Sequence, residues 1–325
     1  MINKSPKVSV LIITYNHSKF IEEAIKSVLK QSYKNIEIII TDDCSNDGTK
    51  EIIEKYANKY KKIKPIFSKE NTGIQHNFNR GLKKVRGKYF AHIDGDDLMF
   101  PNKIKRQVDY LNNNEDVLIC AHDMQVFDSS TNKNVGLFSE VVGGKKITGK
   151  VGVEFLFDPL VLLSPSSMMY RKNILPHEGF EKRFSYANDF LFHIKILVNG
   201  KLGYINETLG LYRKHEGNVT RNANAKKVWS KEILEILSLA DSKWPQLRVL
   251  IERKRELVYF SEVIRYLNNG ENDDAKKMAK KLISEKCYIR GIFAYGLSII
   301  SNKKFMKMIY NFKYSRKIWN EFLGH

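Results

Sequence analysis

Val8-Ser9-Val10-Leu11-Ile12-Ile13 is a short, largely β-branched run that stops at Thr14-Tyr15-Asn16. It reads as a strand buried on both faces, the kind found in parallel sheets. Next, Ile21, Ala24, Ile25, Val28 and Leu29 recur at helical spacing, with Ser18 as the expected N-cap and Glu22 to Lys26 as an i,i+4 pair on the wet face. Ile36-Glu37-Ile38-Ile39-Ile40-Thr41 is a second buried strand. Strand, helix, strand makes a right-handed βαβ unit, and sheets built from such units bind ligands beyond the carboxyl ends of their strands.

Those ends carry Thr14-Tyr15-Asn16 and Asp42-Asp43. Tyr15 offers a flat face to a base, and a carboxylate at Asp42 or Asp43 can accept the imide N–H of a uracil. Asn46-Asp47-Gly48-Thr49 turns into a helix over Lys50 to Tyr60, and Lys64 to Phe67 is a third strand. Asn71-Thr72-Gly73 turns into another helix, with Ile74, Phe78, Leu82 and Val85 as its core stripe and Gly87 closing it. The strand from Lys88 to Ile93 then delivers Asp94-Gly95-Asp96-Asp97. Three carboxylates this close repel one another. A divalent cation with oxygen ligands offsets them and would in turn hold a diphosphate. Taken singly, these features read as a solvated acidic turn, a strand-end aromatic and helix-capping acids. Their arrival at neighbouring strand ends is what points to a nucleotide diphosphate. The chain has no G-x-x-x-x-G-K-[ST] and no G-x-G-x-x-G, so the diphosphate falls to a metal rather than to a glycine-rich helix start.

Val8 to Asn16, then Thr41-Asp42-Asp43-Cys44-Ser45-Asn46-Asp47-Gly48-Thr49, then Asp94-Gly95-Asp96-Asp97 with Pro101, resemble in that order the family 2 glycosyltransferases of GT-A fold. The resemblance covers about residues 6 to 220. It implies an α/β fold, a Rossmann-like mixed sheet flanked by helices. It also implies inverting transfer of a sugar from a nucleoside diphosphate. By the family pattern Tyr15 and Asp43 hold the base, with Thr14 and Asn16 beside them. Asp94 lies by the ribose or the metal, Asp96 ligates Mn²⁺ or Mg²⁺, and Asp97 stands behind the metal or near the acceptor. Many members carry Arg where this chain has Phe78. Either Arg80 takes that place among the donor contacts, or no arginine touches the phosphates.

In the second half, Ile104, Val108 and Leu111 mark a helix, and Asp116 to Val126 a strand. Residues 128 to 150 are polar and read as loop or edge hairpin. Ser164 to Arg171 reads as an antiparallel strand under the acceptor. Phe184-Ser185-Tyr186-Ala187-Asn188-Asp189 leads into a helix with Phe190, Ile194 and Leu197 inward. A carboxylate at a helix start is favoured by the dipole. The resemblance gives Asp189 a second role, as the base that deprotonates the acceptor, with Asn188 standing where the family often has Glu. Tyr212-Arg213-x-His215 also resembles a family segment. It brings His215 to the metal or diphosphate, and Arg213 to a phosphate or to brace Asp189.

Composition changes near Ala225, so the expected domains are a catalytic domain over residues 1–224 and a basic helical C-terminal extension over 225–325. Val228, Ile233, Leu234 and Leu237 form one stripe there, and Asp273-Asp274 opens a later helix. Gly291 to Ile300 is too short an apolar run to span a bilayer. Phe305 to Trp319 interleaves aromatics with Lys and Arg, which suits either an anionic membrane surface or packing on the catalytic domain. A net charge of +19 favours an anionic partner. The basic residues are dispersed and no recognition motif accompanies them, which argues against nucleic acid. Cys44, Cys120 and Cys287 have neither metal-ligand nor disulfide spacing, and no apolar signal region follows Met1. The expected setting is cytoplasmic, peripheral on the inner face of the cell membrane. The expected reaction moves a hexose, with UDP-glucose or UDP-galactose as first donors, to a lipid-linked saccharide such as a GlcNAc-diphospho-lipid. It forms a β-linkage in O-antigen, capsule or other surface polysaccharide. A sugar nucleotidyltransferase is the enzymatic alternative, but it would want a Gly-rich basic loop where Thr14-Tyr15-Asn16-His17 stands.

Overall fold

The computed structural model describes residues 5–143, 146–158, 162–218, 223–284 and 295. The first part of the chain runs β1 (Val8–Thr14), α1 (Ile21–Leu29), β2 (Ile36–Asp42), α2 (Thr49–Lys59), β3 (Ile63–Phe67), α3 (Ile74–Leu82) and β4 (Tyr89–Asp94). β5 (Leu98–Met99), α4 (Lys103–Asn112), β6 (Val117–Asp128), β7 (Lys133–Leu137) and β8 (Gly149–Val151) follow. β9 (Met169–Arg171), α5 (Asn188–Leu197) and β10 (Lys201–Lys214) complete the sheet.

Every residue of β1 and of β2 is buried, as strands covered by helices on both faces must be. β1 lies parallel between β2 and β4, with Thr14 beside Asp42 and Ile13 beside Asp94. The carboxyl ends of three strands therefore stand in line, and the sequence just past each end shares one edge. The path across the sheet is β3-β2-β1-β4-β9-β6-β10-β5, with β7 on β6 and β8 on β10. β9 runs antiparallel to both β4 and β6, so it joins the parallel half to the parallel β6–β10 pair. α1, α2 and α4 pack on one face through Ile25, Ile53 and Leu111, while α3 and α5 pack on the other through Phe78 and Phe192.

Several local expectations are corrected. Phe20, not Ser18, holds the N-cap position of α1, and no side chain caps it. The Ser18 N–H instead donates to Asp47 Oδ2 at 2.9 Å, which ties it to the neighbouring loop. α3 ends at Leu82, so Val85 is buried beyond the helix, and Ile74 is exposed rather than part of the stripe. Gly87 does not close that helix. It lies where the chain crosses β1, and a Cβ there would come within 2.6 Å of the Ser9 nitrogen and 2.7 Å of the Lys7 oxygen. Within residues 128 to 150 the expected hairpin is present, formed by β7 with β6, and β8 pairs with β10. Only Met169–Arg171 of the expected antiparallel strand is strand, because Pro165 to Ser167 form a 3-10 turn. On α5, Phe190 is only half-buried, and the helix buries Leu191, Phe192, Ile194 and Ile196 on a wider face.

One polar group sits inside the apolar sheet. Glu37 of β2 is buried, which opposes its ionisation. It nonetheless accepts hydrogen bonds from Lys64 (2.8 Å), the Ser9 hydroxyl (2.6 Å) and the Arg86 N–H, and pairs with Lys7 (3.0 Å). These outweigh burial and hold its carboxyl down to about 2.

The packing divides the chain into one unit ending at Glu232 and another beginning at Ile233. A helix over Ala223–Lys243, α6, crosses that point. Val228 on it is exposed, contrary to its place in the expected stripe. In the second unit α7 (Arg248–Asn269) reaches α8 (Asn272–Ser284) through Gly270, whose φ of 80° suits glycine at a helix end. Val263, Leu267, Ala275, Ala279 and Leu282 form its core. Among the described residues no helix is long and apolar enough to cross a membrane. Cys287, the Gly291 to Ile300 run and the Phe305 to Trp319 segment lie outside the described residues.

The close crossing at Gly87 yields a stability prediction. Gly87→Ala should cost about 1–3 kcal/mol, since backbone atoms must give way. Urea denaturation should show a lower midpoint with an unchanged slope, and an unchanged midpoint would refute the crossing.

Candidate active site

The edge past β1 and β2 is held by backbone contacts. The Thr14 carbonyl accepts from the Asp43 N–H (3.1 Å) and from the Asn77 side-chain amide (3.1 Å), which locks β1, β2 and α3 together. Thr14 itself is buried. Tyr15 is 42% exposed, a large ring left in water at a strand end. Asn16 has φ of 54°, a conformation asparagine tolerates better than most residues. Its Oδ1 accepts the Asn46 N–H (3.0 Å) and its own N–H donates to the Ser45 hydroxyl (2.8 Å). The two loops therefore form one wall.

Asp43 is buried in that wall. It accepts from the Thr72 N–H (3.1 Å), the Thr72 hydroxyl (3.0 Å), the Gly73 N–H (2.7 Å) and the Arg80 guanidinium (2.6 Å). A carboxylate has about four acceptor positions, and these contacts fill them. Arg80 also donates to Thr72 Oγ1 (2.8 Å) and Asn77 Oδ1 (3.2 Å). Asp43 and Arg80 thus brace the start of α3. Asp42 faces elsewhere, accepting from the Ser45 N–H (3.0 Å) and hydroxyl.

The turn after β4 passes very close to β1. The Gly95 N–H donates to the Ile13 carbonyl (2.9 Å), and a Cβ at Gly95 would lie 2.8 Å from Thr14 Oγ1 and 2.9 Å from His17 Nδ1. The three acids around it have different surroundings. Burial of Asp94 disfavours its charge, but His92 (3.3 Å), the nearby His17 and the Ser166 hydroxyl keep its carboxyl below the ordinary value. Asp96 Oδ2 meets His215 Nε2 at 2.9 Å and accepts from the Asn218 amide at 3.3 Å. Asp97 is buried behind the turn. Burial, with the charges of Asp96 and Asp94, raises its carboxyl well above the ordinary range. Its Oδ1 accepts the Arg213 N–H (2.9 Å), while its Oδ2 has no hydrogen-bond partner among the described residues.

Asp96, His215 and His17 each offer one ligand atom, and the three atoms lie within 4.8 Å of one another. Asp94, Asp96 and Asp97 form a second such trio. A divalent cation fits here: oxygen and imidazole donors converge, and His17 Nδ1 is buried with no hydrogen-bond partner among the described residues. His17 was not singled out in the sequence, where it reads as one more polar residue after Tyr15-Asn16. Its signal was position, directly past the strand end that faces the acidic turn.

Arg213 lies against the acidic turn. Its guanidinium donates to the Asp96 carbonyl (2.8 Å), Glu23 (2.6 Å) and Ser129 Oγ (3.3 Å), and lies over Phe20 and Phe127. It is buried and holds the acidic turn from behind, rather than bracing Asp189.

Asp189 stands in the first turn of α5 and accepts the N–H of Phe190 at 2.8 Å. Burial pushes its carboxyl up to about 6, against that hydrogen bond, and the Asp94 charge adds to the rise. An acid poised there is ionised near neutral pH yet basic enough to take a proton. At the acidic turn, the Ser166 hydroxyl accepts the Asp94 N–H at 3.0 Å.

Residues 9–178 match the model of glycosyl transferase family 2. An uncharacterised glycosyltransferase of Haemophilus influenzae is 31% identical over 250 residues, 72% of this chain and 75% of that one. The Streptococcus pneumoniae glycosyltransferase GlyG is 23% identical over 239 residues, 72% and 79% of the two chains. Among solved structures, Staphylococcus aureus TarS 1–349 in complex with UDP-GlcNAc superposes with a TM-score of 0.57 at 19% identity, over 94% of this chain and 91% of that one. The Pyrobaculum calidifontis mannosyltransferase PcManGT, in complex with GDP-Man and Mn²⁺, gives 0.58 at 15% identity over 96% and 89%. The α/β fold is therefore that of the GT-A glycosyltransferases, and the chain belongs to glycosyl transferase family 2.

Proposed function

We propose that this chain is a metal-dependent, inverting glycosyltransferase with a UDP-sugar donor. What supports the reading is that exposed Tyr15 follows β1, Asp96 of the Asp96–His215–His17 cluster follows the neighbouring β4, and Asp189 feels the charge of Asp94 in that same turn. Tyr15 stacks on the base. Asp43 shapes the wall behind it and meets the uracil imide only by giving up one of its present donors. The TarS complexes with UDP and UDP-GlcNAc favour a uridine donor, with UDP-glucose and UDP-galactose first among the hexoses.

Asp96 and His215 would hold the cation, with His17 completing the set and Asp94 at its flank. Of Mn²⁺ and Mg²⁺, the imidazole donors favour Mn²⁺, because Mg²⁺ keeps to oxygen. Bound there, the ion supplies positive charge against the departing diphosphate. The chain's own residues do the rest. Arg213 and Asp97 fix the turn from behind. Asp189 accepts the proton of the acceptor hydroxyl as that oxygen attacks the anomeric carbon opposite the diphosphate, which inverts the centre and leaves a β-linkage from an α-linked donor.

For the acceptor we propose a lipid-linked saccharide of surface polysaccharide assembly, such as a GlcNAc-diphospho-lipid at the inner face of the cell membrane. The +19 net charge supports an anionic surface or acceptor. The decisive assay incubates the chain with Mn²⁺, a panel of nucleotide sugars and that acceptor, and reads nucleotide release and anomeric configuration.

Two outcomes are expected. Asp96→Ala should lower turnover by about 100-fold or more while the melting temperature holds, and EDTA should do the same to the unaltered chain; full activity in EDTA would refute the metal site. Asp189→Asn should bind UDP normally but transfer about 100- to 10,000-fold more slowly. A raised carboxyl is protonated, and useless as a base, below its pKa. The wild-type rate should therefore climb through pH about 6 and level off above it, a limb that Asp189→Asn lacks. A near-normal rate in that variant would exclude Asp189 as the base.

A further inference from the structure

Glu232 lies on α6, far along the chain from the acidic turn, and is 7% exposed. Its carboxylate accepts three successive backbone N–H groups. Oε1 takes Ser185 at 2.7 Å, and Oε2 takes Tyr186 at 2.8 Å and Ala187 at 2.9 Å. Successive amides that converge on one point form a nest for an anion. Here the chain fills the nest with its own carboxylate. Among the described residues no Lys or Arg pairs with Glu232, so these amides are what compensates its buried charge.

The same loop is gripped from the other side. Asn188 Oδ1 accepts the Glu181 N–H at 2.7 Å, and its amide donates to the carbonyls of Glu181 (3.0 Å) and Phe184. Asn188 stands where the family resemblance leads one to expect Glu. An amide there can both donate to carbonyls and accept from an N–H, which a carboxylate cannot do. The loop from Glu181 to Asn188 is thus fixed by one side chain within it and one from outside. Asp189 follows it directly and is the first acid of α5.

We infer that Glu232 is a positioning residue for transfer: by filling the amide nest of Ser185, Tyr186 and Ala187 it sets where Asp189 presents its carboxyl. This rests on the reading of Asp189 as base. Glu232 acts through the loop it grips. Its effect is on the geometry of proton removal, where a displacement of about 1 Å costs about 100-fold.

The test uses the full chain with Glu232→Ala and Glu232→Gln. Amide hydrogen exchange reports the clamp directly: Ser185, Tyr186 and Ala187 should exchange faster in Glu232→Ala. UDP affinity should stay within about twofold while the rate of nucleotide-sugar turnover falls about 10- to 100-fold. Formate added at tens of millimolar should refill the nest of Glu232→Ala and recover rate. It should not do so for Glu232→Gln, whose amide still occupies the nest, and a merely destabilised variant would not respond either. Unchanged exchange at residues 185–187 would overturn the clamp. A turnover rate within about twofold of wild type, or a loss matched by UDP affinity and untouched by formate, would overturn the positioning role. Asp189→Asn run in parallel separates the two claims. Normal turnover there removes the base, whereas the exchange result on Glu232→Ala still decides the clamp.

Discussion

Three carboxylates within four residues repel one another, and the turn at Asp94-Gly95-Asp96-Asp97 exists because each repulsion is met differently. Asp94 keeps its charge through His92 and Ser166. Asp97 is driven toward its neutral form by burial and by its two neighbours. Asp96 is left with His215, Asn218 and a place for a cation. Arg213 ties the arrangement to β10 by donating its N–H to Asp97 and its guanidinium to the Asp96 carbonyl. Asp96 is the acid common to both candidate ligand trios, and Asp94 and Asp97 set its position and field.

That division of labour extends around the edge. Asp43 is as buried as Asp97, and its oxygens are fully engaged with Thr72, Gly73 and Arg80. It braces the loop before α3 beside the end of β1. Glu232 and Asn188 do the same for the segment before Asp189. The pattern is a few groups at the edge of the sheet, Asp96 and Asp189 among them, held in place by buried polar residues such as Arg213, Glu232 and Asn188.

Much of this was legible in the sequence. The buried parallel strands follow from the apolar runs at residues 8–13 and 36–41, and the placing of Tyr15, Asp43 and the acidic turn follows from where those runs stop. What escaped depends on contacts between distant segments. No local pattern shows that His17 packs against Gly95, that Arg213 pairs with Glu23, or that Glu232 reaches Ser185. Gly87 reads as a helix stop because glycine often is one, whereas here the constraint is the backbone of β1. Ser18 is not the cap because α1 begins only at Ile21, which puts Phe20 at the N-cap position.

The most direct test of the central claim is a crystal structure of the chain soaked with UDP and Mn²⁺, with anomalous data collected at the manganese edge. The account predicts a single anomalous peak within ligand distance of Asp96 and His215, in contact with the diphosphate, and the uracil against Tyr15. UDP bound with its diphosphate remote from Asp96, or an anomalous map empty at that turn, would contradict it.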